Sequence, residues 1–393
     1  MGSPKLIDLP RAPEAIELRH LRAFVAVAEE LNFSRAATRM FVTQPALSRQ
    51  IQALERLLGV DLLRRSTQRV ELTIAGESLL GRSRSLLSDV DEAVQATRSV
   101  AGRLDAEVVR LAQPLADTLA TGGLDAFREA YEAMNAQLPS PTEIQARAVN
   151  AGGTPALVYG APGADVPTVL YVHGGGYVVG SAFGYRPLAG TVAALSGSSV
   201  LVPDYRLAPE HTYPAALDDV AAAYDWLLGR VARPADIAVV GDSSGGGLAM
   251  GLLLRLRGRG QPLPGRVALL SPWVDLRPRP AEEIAGGGEP ARLVEIATKY
   301  GGLYLDGHPA DDPLLNPMCA DLSGLPPILA QVASGDWIAG ETRELVERIR
   351  AAGGEASLEL YPVNTHVFHM FWSFLPEAAE ALESAGRFLA AAR

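Results

Sequence analysis

Cysteine is almost missing from this chain: there is one, Cys319, in 393 residues. A single thiol excludes an intrachain disulfide framework and any metal site built on several cysteines, and it fits a reducing compartment. Also missing is an apolar run of about 18 residues, the length a membrane-crossing helix requires. Met1 to Pro10 carries neither the basic region nor the apolar stretch of a secretion signal, so a soluble cytoplasmic protein without membrane association is expected, its first few residues disordered. Of the six histidines, His20, His211 and His308 are too scattered to suggest a metal cluster, and no internal repeat is visible.

Length and composition suit two domains of ordinary globular type, with 48% hydrophobic and 20% charged residues. The net charge of −10 is unevenly spread: residues 1–104 hold 15 Lys+Arg against 12 Asp+Glu, and the remainder 20 against 33. A weakly basic front (+3) joined to an acidic body (−13) is what a nucleic-acid module attached to an enzyme looks like.

In the first part, Leu18, Leu21, Phe24, Val25, Ala28 and Leu31 recur at helical spacing, and Asn32 ends the pattern. Ser34 is expected to cap a short second helix that stops near Phe41 and Val42. Thr43 and Pro45 open a third, running through Ala46, Leu47, Ile51, Leu54 and Leu58 to Gly59. Asp61–Arg64 and Arg69–Leu72, around Ser66 and Thr67, read as the two strands of a wing. A long helix is expected from Gly76 to about Leu104, with Leu80, Leu87, Val94 and Ala101 seven apart as a dimer seam.

The segments Phe33-Ser34-Arg35-Ala36-Ala37, Thr43-Gln44-Pro45-Ala46-Leu47-Ser48-Arg49-Gln50-Ile51 and Leu72-Thr73-Ile74-Ala75-Gly76 resemble the winged helix-turn-helix of LysR-type transcriptional regulators. The resemblance implies a third helix that enters the major groove of promoter double-stranded DNA, with Gln44, Pro45, Ser48 and Arg49 reaching bases or phosphates. Ser34, Thr43 and Arg65 would mainly hold phosphates. It also implies a two-fold dimer through the helix after Gly76. Leu63 stands where the family usually has Phe, and Gln68 where Arg is common; Arg64, Arg65 and Arg69 keep the wing basic. The periplasmic-binding-like sensor usual in these regulators is absent.

Residues 105–140 look helical, Ile144–Tyr159 and Thr168–Val172 read as strands, and from Ser199 onward strands alternate with helices. That alternation predicts a mostly parallel sheet covered on both faces. Pro278–Pro290, rich in Gly and Pro, reads as a mobile insertion above it. Gly241-Asp242-Ser243-Ser244-Gly245 sits between the apolar strand Ile237–Val240 and a helix, the setting of a nucleophile elbow, which makes Ser243 the candidate nucleophile. His173-Gly174-Gly175-Gly176 follows another strand, and the amides of Gly174, Gly175 and Ser244 are the expected oxyanion hole. Asp336 and His366 follow later strands in the order Ser, Asp, His, as orienting acid and general base. His369 is the rival base, and His173 reads as a structural group that fixes the glycine loop.

With Asp204-Tyr205-Arg206-Leu207-Ala208-Pro209-Glu210-His211 and Pro214-Ala215-Ala216-Leu217-Asp218-Asp219, these motifs resemble bacterial esterases of the hormone-sensitive-lipase type over about Leu104 to Arg393. The resemblance implies acyl-enzyme catalysis without a cofactor, on short or medium acyl esters. Trp337 replaces the Pro that commonly follows the acid, and Val367 the Gly that commonly follows the histidine.

The expected fold is multidomain: an all-α winged helix-turn-helix over 16–75, a linker or dimerisation helix over 76–104, and an α/β-hydrolase over 105–393 with a cap at about 105–140. Three functions follow: a regulator whose sensor is an esterase for a small ester or lactone, forming a homodimer or tetramer; a carboxylesterase that uses the helical part only to oligomerise; and a receptor that binds such a ligand without turnover. The base-reading run Gln44–Gln50 argues against the second. The full Ser, Asp, His set argues against the third.

Overall fold

The computed structural model describes residues 16–40, 42–65, 70–121, 123–163, 166–277 and 289–390. The expected features at 1–15, Phe41, the wing tip 66–69 and the insertion 278–288 lie outside the described residues, as do the side chains of Arg65, Val94 and Ala101. The chain divides into two compact units, residues 1–105 and 106–393.

The first unit contains α1 (Leu18–Glu30), α2 (Phe33–Arg39) and α3 (Gln44–Leu58), then a hairpin of β1 (Leu63–Arg65) and β2 (Val70–Leu72), antiparallel with Leu63 opposite Leu72. Phe24, Val27, Leu47, Ile51 and Leu54 are fully buried among them. Large side chains of this kind contribute roughly 1.5–3 kcal/mol each on burial. Two local expectations are corrected. Leu31 is left-handed (φ 46°) and ends α1, so Leu18 and Leu31 lie exposed at its ends rather than on the buried stripe. The cap of α2 is Asn32, not Ser34: Asn32 is extended and its side chain accepts from the Arg35 amide, while Ser34 already lies inside the helix.

The wing is tied to α3 by Glu55, whose Oε1 accepts from the Leu62 and Leu63 amides. Thr73 Oγ1 then accepts from the Gly76 amide at the start of α4 (Ile74–Thr121). This helix is 48 residues long and does not stop near Leu104 as expected; it carries Pro114 internally. Glu29 of α1 pairs with Arg39 of α2 and Arg84 of α4 at 2.8 Å each.

In the second unit α5 (Leu124–Ala136) precedes a hairpin, β3 (Gln145–Ala151) and β4 (Thr154–Gly160), turned at Gly152-Gly153. There follow β5 (Val169–Val172), α6 (Arg186–Ser196), β6 (Val200–Pro203), α7 (Ala215–Leu228), β7 (Ala238–Asp242), α8 (Ser244–Gly258) and β8 (Arg266–Leu270). The chain continues through α9 (Glu289–Leu305), β9 (Ile328–Ala333), α10 (Ala339–Ala351), β10 (Ala356–Tyr361) and α11 (Pro376–Ala390).

The eight strands of this unit lie in the order β10-β9-β8-β7-β5-β6-β4-β3. Pairing is parallel from β10 to β6, and antiparallel where β4 meets β6 and β3. The interior strands β5, β6, β7 and β9 are buried at every residue. Their unbroken apolar character is what a sheet covered on both faces demands. Helix α8 packs on β7, α7 on α8, and α6 on α11. The carboxyl ends of β5, β7, β9 and β10 all release the chain toward one edge, where ligands bind in open sheets of this kind.

Candidate active site and nucleic-acid interface

At the end of β7 the backbone turns abruptly into α8, and Ser243 occupies the corner with φ 49° and ψ −124°. A non-glycine residue at positive φ is strained, and the corner holds because it is over-determined. The Ser243 amide donates to Leu270 O, while its carbonyl accepts from the amides of Gly246 and Trp273. Gly245 has no room for a side chain: a Cβ there would lie 2.1 Å from Val172 O. The turn is therefore packed directly against the end of β5.

Asp336 and His366 arrive on the loops after β9 and β10, and hydrogen bonds from Ser334 N to Tyr361 O and from Gly335 N to Val363 O hold those loops together. His366 Nε2 lies 2.9 Å from Ser243 Oγ, and its Nδ1 lies 2.9 and 3.1 Å from the two Asp336 oxygens. The Asp336 side chain is fully buried and the His366 side chain about one quarter exposed (23%). With Nδ1–H donated to the carboxylate, Nε2 is left to accept the Ser243 hydroxyl proton. Burial pulls the His366 pKa down, but the Asp336 charge and hydrogen bond, together with the charge of Asp242, outweigh it and leave the pKa raised.

The residue after His366 is Val367, left-handed at φ 48° and buried. Trp337 stands over the histidine, ring centroids 5.8 Å apart, and meets Trp273 edge-on at 6.0 Å. The two tryptophans line a recess with Leu276, Arg277, Ala297 and Thr298.

The glycine loop after β5 lies beside the corner. Gly175 (φ 115°) admits no side chain, because a Cβ would meet Val179 O at 2.2 Å. The expected role of Gly174 in an oxyanion hole is corrected: its amide already donates to Asp242 Oδ1 at 3.0 Å, so it has no hydrogen left to offer a ligand. The amides of Gly175 and Gly176 donate to no acceptor among the described residues. Ser244, fully buried, begins α8, where first-turn amides lack intrahelical partners.

Asp242 was not singled out from the sequence, although it lies inside the Gly-x-Ser-x-Gly motif. It is fully buried and accepts from Tyr171 OH at 3.0 Å, Tyr185 OH at 2.9 Å and the Gly174 amide. Burial pushes its carboxyl up to about 6, against the opposing pull of these three donors. His173 is buried, stacked on Tyr205 at 4.2 Å, with Nδ1 2.8 Å from Gly174 O, and burial lowers its pKa to about 4. His369 lies away from Ser243: its Nε2 meets Gln331 Oε1 at 3.2 Å, and burial with the nearby His366 charge lowers it to about 3.

In the first unit, Ser34, Thr43, Gln44, Pro45 and Arg49 are exposed and Ser48 half-buried. On α3 the positions 44, 45, 48 and 49 point away from the buried stripe Leu47, Ile51 and Leu54. Ser34 Oγ donates to Gln44 Oε1 at 3.3 Å, joining α2 to the start of α3.

Fold and site together define an esterase-type α/β hydrolase that carries a regulatory helix-turn-helix at its N-terminal side. The chain belongs to the α/β-hydrolase fold family, whose model matches residues 169–370, and residues 18–77 match the bacterial regulatory helix-turn-helix protein model of the lysR family. It is 38% identical over 229 residues to an acetyl-hydrolase of Streptomyces hygroscopicus, covering 57% of this chain and 76% of that protein. To the carboxylesterase NlhH of Mycobacterium tuberculosis it is 35% identical over 276 residues, covering 65% and 85%. The crystal structure of an esterase from the bacterial hormone-sensitive lipase family superposes with a TM-score of 0.65 at 38% identity, over 72% of this chain and 97% of that one. Among the described residues no helix is long and apolar enough to cross a membrane.

Proposed function

We propose that the protein is a LysR-type transcriptional regulator whose effector body is a serine carboxylesterase for short- to medium-acyl esters. One observation carries the reading: Ser243 Oγ, His366 Nε2 and Asp336 lie in a continuous hydrogen-bonded line, in a chain whose α3 bears an exposed face at Gln44, Pro45 and Arg49.

In the reaction, Ser243 Oγ adds to the ester carbonyl carbon while its proton passes to His366 Nε2. Asp336 keeps the imidazole in the Nδ1–H tautomer and stabilises the cation. The carbonyl oxygen becomes an oxyanion that accepts from the amides of Gly175, Gly176 and Ser244. The carbon–oxygen ester bond then breaks, the alcohol takes the His366 proton, and an acyl-Ser243 ester remains. Water, deprotonated by the same histidine, adds to that ester; the acid leaves and the proton returns to Ser243 Oγ.

Residues 16–75 are the DNA-binding domain, with Ser34, Thr43, Gln44, Pro45, Ser48, Arg49 and Arg65 as its contacts to promoter DNA. Residues 76–104 are the linker on which a homodimer or tetramer forms, and 105–393 the esterase, capped by about 105–140. A reader of promoter DNA works in the cytoplasm. An ester changes promoter occupancy only to the extent that it, or its acyl-enzyme, has different affinity for two arrangements of the assembly.

The test compares the native protein with Ser243→Ala in hydrolysis of p-nitrophenyl butyrate and in binding to the DNA upstream of its own gene. Turnover lost in the variant and sequence-selective binding by both are the expected results. Native turnover no higher than that of Ser243→Ala contradicts the enzyme; absence of sequence preference at moderate salt contradicts the regulator.

A further inference from the structure

The glycine loop is held from outside by α5, a helix with no part in the chemistry. Arg128 of α5 donates through Nε to Val178 O at 2.8 Å and through Nη2 to Ala208 O at 2.9 Å, while Glu210 holds its guanidinium by two contacts of 2.8 Å. One turn further on, Tyr131 OH lies 2.8 Å from Tyr185 OH. Tyr185 has a single hydroxyl hydrogen, and it goes to Asp242 Oδ2. Tyr131 must therefore be the donor to Tyr185, which fixes the direction of the chain: Tyr131 to Tyr185 to Asp242.

The other oxygen of Asp242 accepts the Gly174 amide. All four groups are buried, where an unpaired hydroxyl or carboxylate oxygen is costly and hydrogen bonds in series reinforce one another. Removing the first donor thus loosens the grip of the carboxylate on the loop without touching the reacting atoms.

We infer that Tyr131 is a positioning residue, acting through Tyr185 and Asp242 to place the oxyanion-binding glycine loop, so that the seating of α5 sets the turnover number. The inference rests on Ser243 being the nucleophile and on the glycine loop receiving the oxyanion. Its consequence is regulatory in form: two residues separate α5 from the end of α4, the helix along which the chain passes from one unit to the other. The active site is then sensitive to a helix that follows that linking helix directly in the sequence.

The test uses the full-length chain and p-nitrophenyl butyrate, with Tyr131→Phe, Tyr185→Phe, the double variant, and Tyr224→Phe as control. Tyr224 OH is likewise a hydrogen-bond donor, to the carbonyl Pro262 O at 2.9 Å, but it lies on α7 and takes no part in the bonds to Asp242. Tyr131→Phe is expected to lower kcat on the order of tenfold with KM changed less than about twofold, the signature of a misplaced catalytic group. Tyr185→Phe is expected to lower kcat at least as far, and the double variant no further than Tyr185→Phe alone, because the chain is already cut. Tyr224→Phe is expected to lose melting temperature comparably and keep its kcat. Native kcat in Tyr131→Phe, multiplicative losses in the double variant, or an equal kcat loss in Tyr224→Phe would overturn the inference while leaving Ser243-dependent turnover in place. Turnover that survives Ser243→Ala would overturn the nucleophile assignment, and this inference with it.

Discussion

At Val367 two effects of opposite sign meet. A β-branched residue in the left-handed region costs roughly 1–2 kcal/mol, whereas its isopropyl group is buried, which stabilises by roughly 1.5–3 kcal/mol. Burial is the larger effect, so Val367→Gly is predicted to lower stability in urea unfolding even as it relieves the backbone; a gain in stability would contradict that balance. Beside it, the raised His366 pKa has a signed consequence. The base must be neutral to accept the Ser243 proton, so kcat/KM should rise with pH through a midpoint above that of free imidazole. Asp336→Asn removes the charge that outweighs burial, so the midpoint should fall, with kcat reduced by about 10⁴-fold as the tautomer is lost. The same raised pKa stabilises the folded state below the unfolded histidine value, and that contribution disappears as pH climbs past the folded one.

At the scale of elements, Asn32→Ala is predicted to cost about 1 kcal/mol through loss of the α2 cap, read as a lower unfolding midpoint, with Ser34→Ala nearly neutral. The reverse ranking would restore Ser34 as the cap. That pair illustrates what was legible. Ser34 and Asn32 are both good capping types two residues apart, and only the extended backbone at Asn32 separates them. Strands β5 to β9 were readable because buried parallel strands are largely apolar runs bounded by polar turns, and the edge strand β10 because Leu358 and Leu360 alternate with Ser357 and Glu359. Helices α6, α9 and α11 were not read from the sequence. In α6, Pro187 to Ala193 are buried in succession, so no polar face marks a period. The end of α4 was not legible near Leu104, because nothing in the sequence there interrupts a helix and residues 105–140 also look helical. For the site, the order of Ser243, Asp336 and His366 was readable from strand ends. The Gly174 amide was not, because its partner Asp242 lies 68 residues away.

At the scale of the whole molecule, a weakly basic segment is joined to a body with a net charge of −13. Binding to DNA must therefore depend on a few arginines rather than on a general field. Arg49→Ala is predicted to weaken operator binding roughly tenfold or more, and binding should fall steeply with added salt. Affinity indifferent to both would contradict the assigned face of α3. The most direct test of the central claim is covalent: the full-length protein is titrated with a fluorophosphonate, which reacts as a mimic of the ester carbonyl, and the labelled peptide is identified by mass spectrometry while residual turnover is followed. The account predicts one adduct per chain, on Ser243, with turnover lost in proportion to labelling. An adduct on another residue, or full turnover in fully labelled protein, would contradict it.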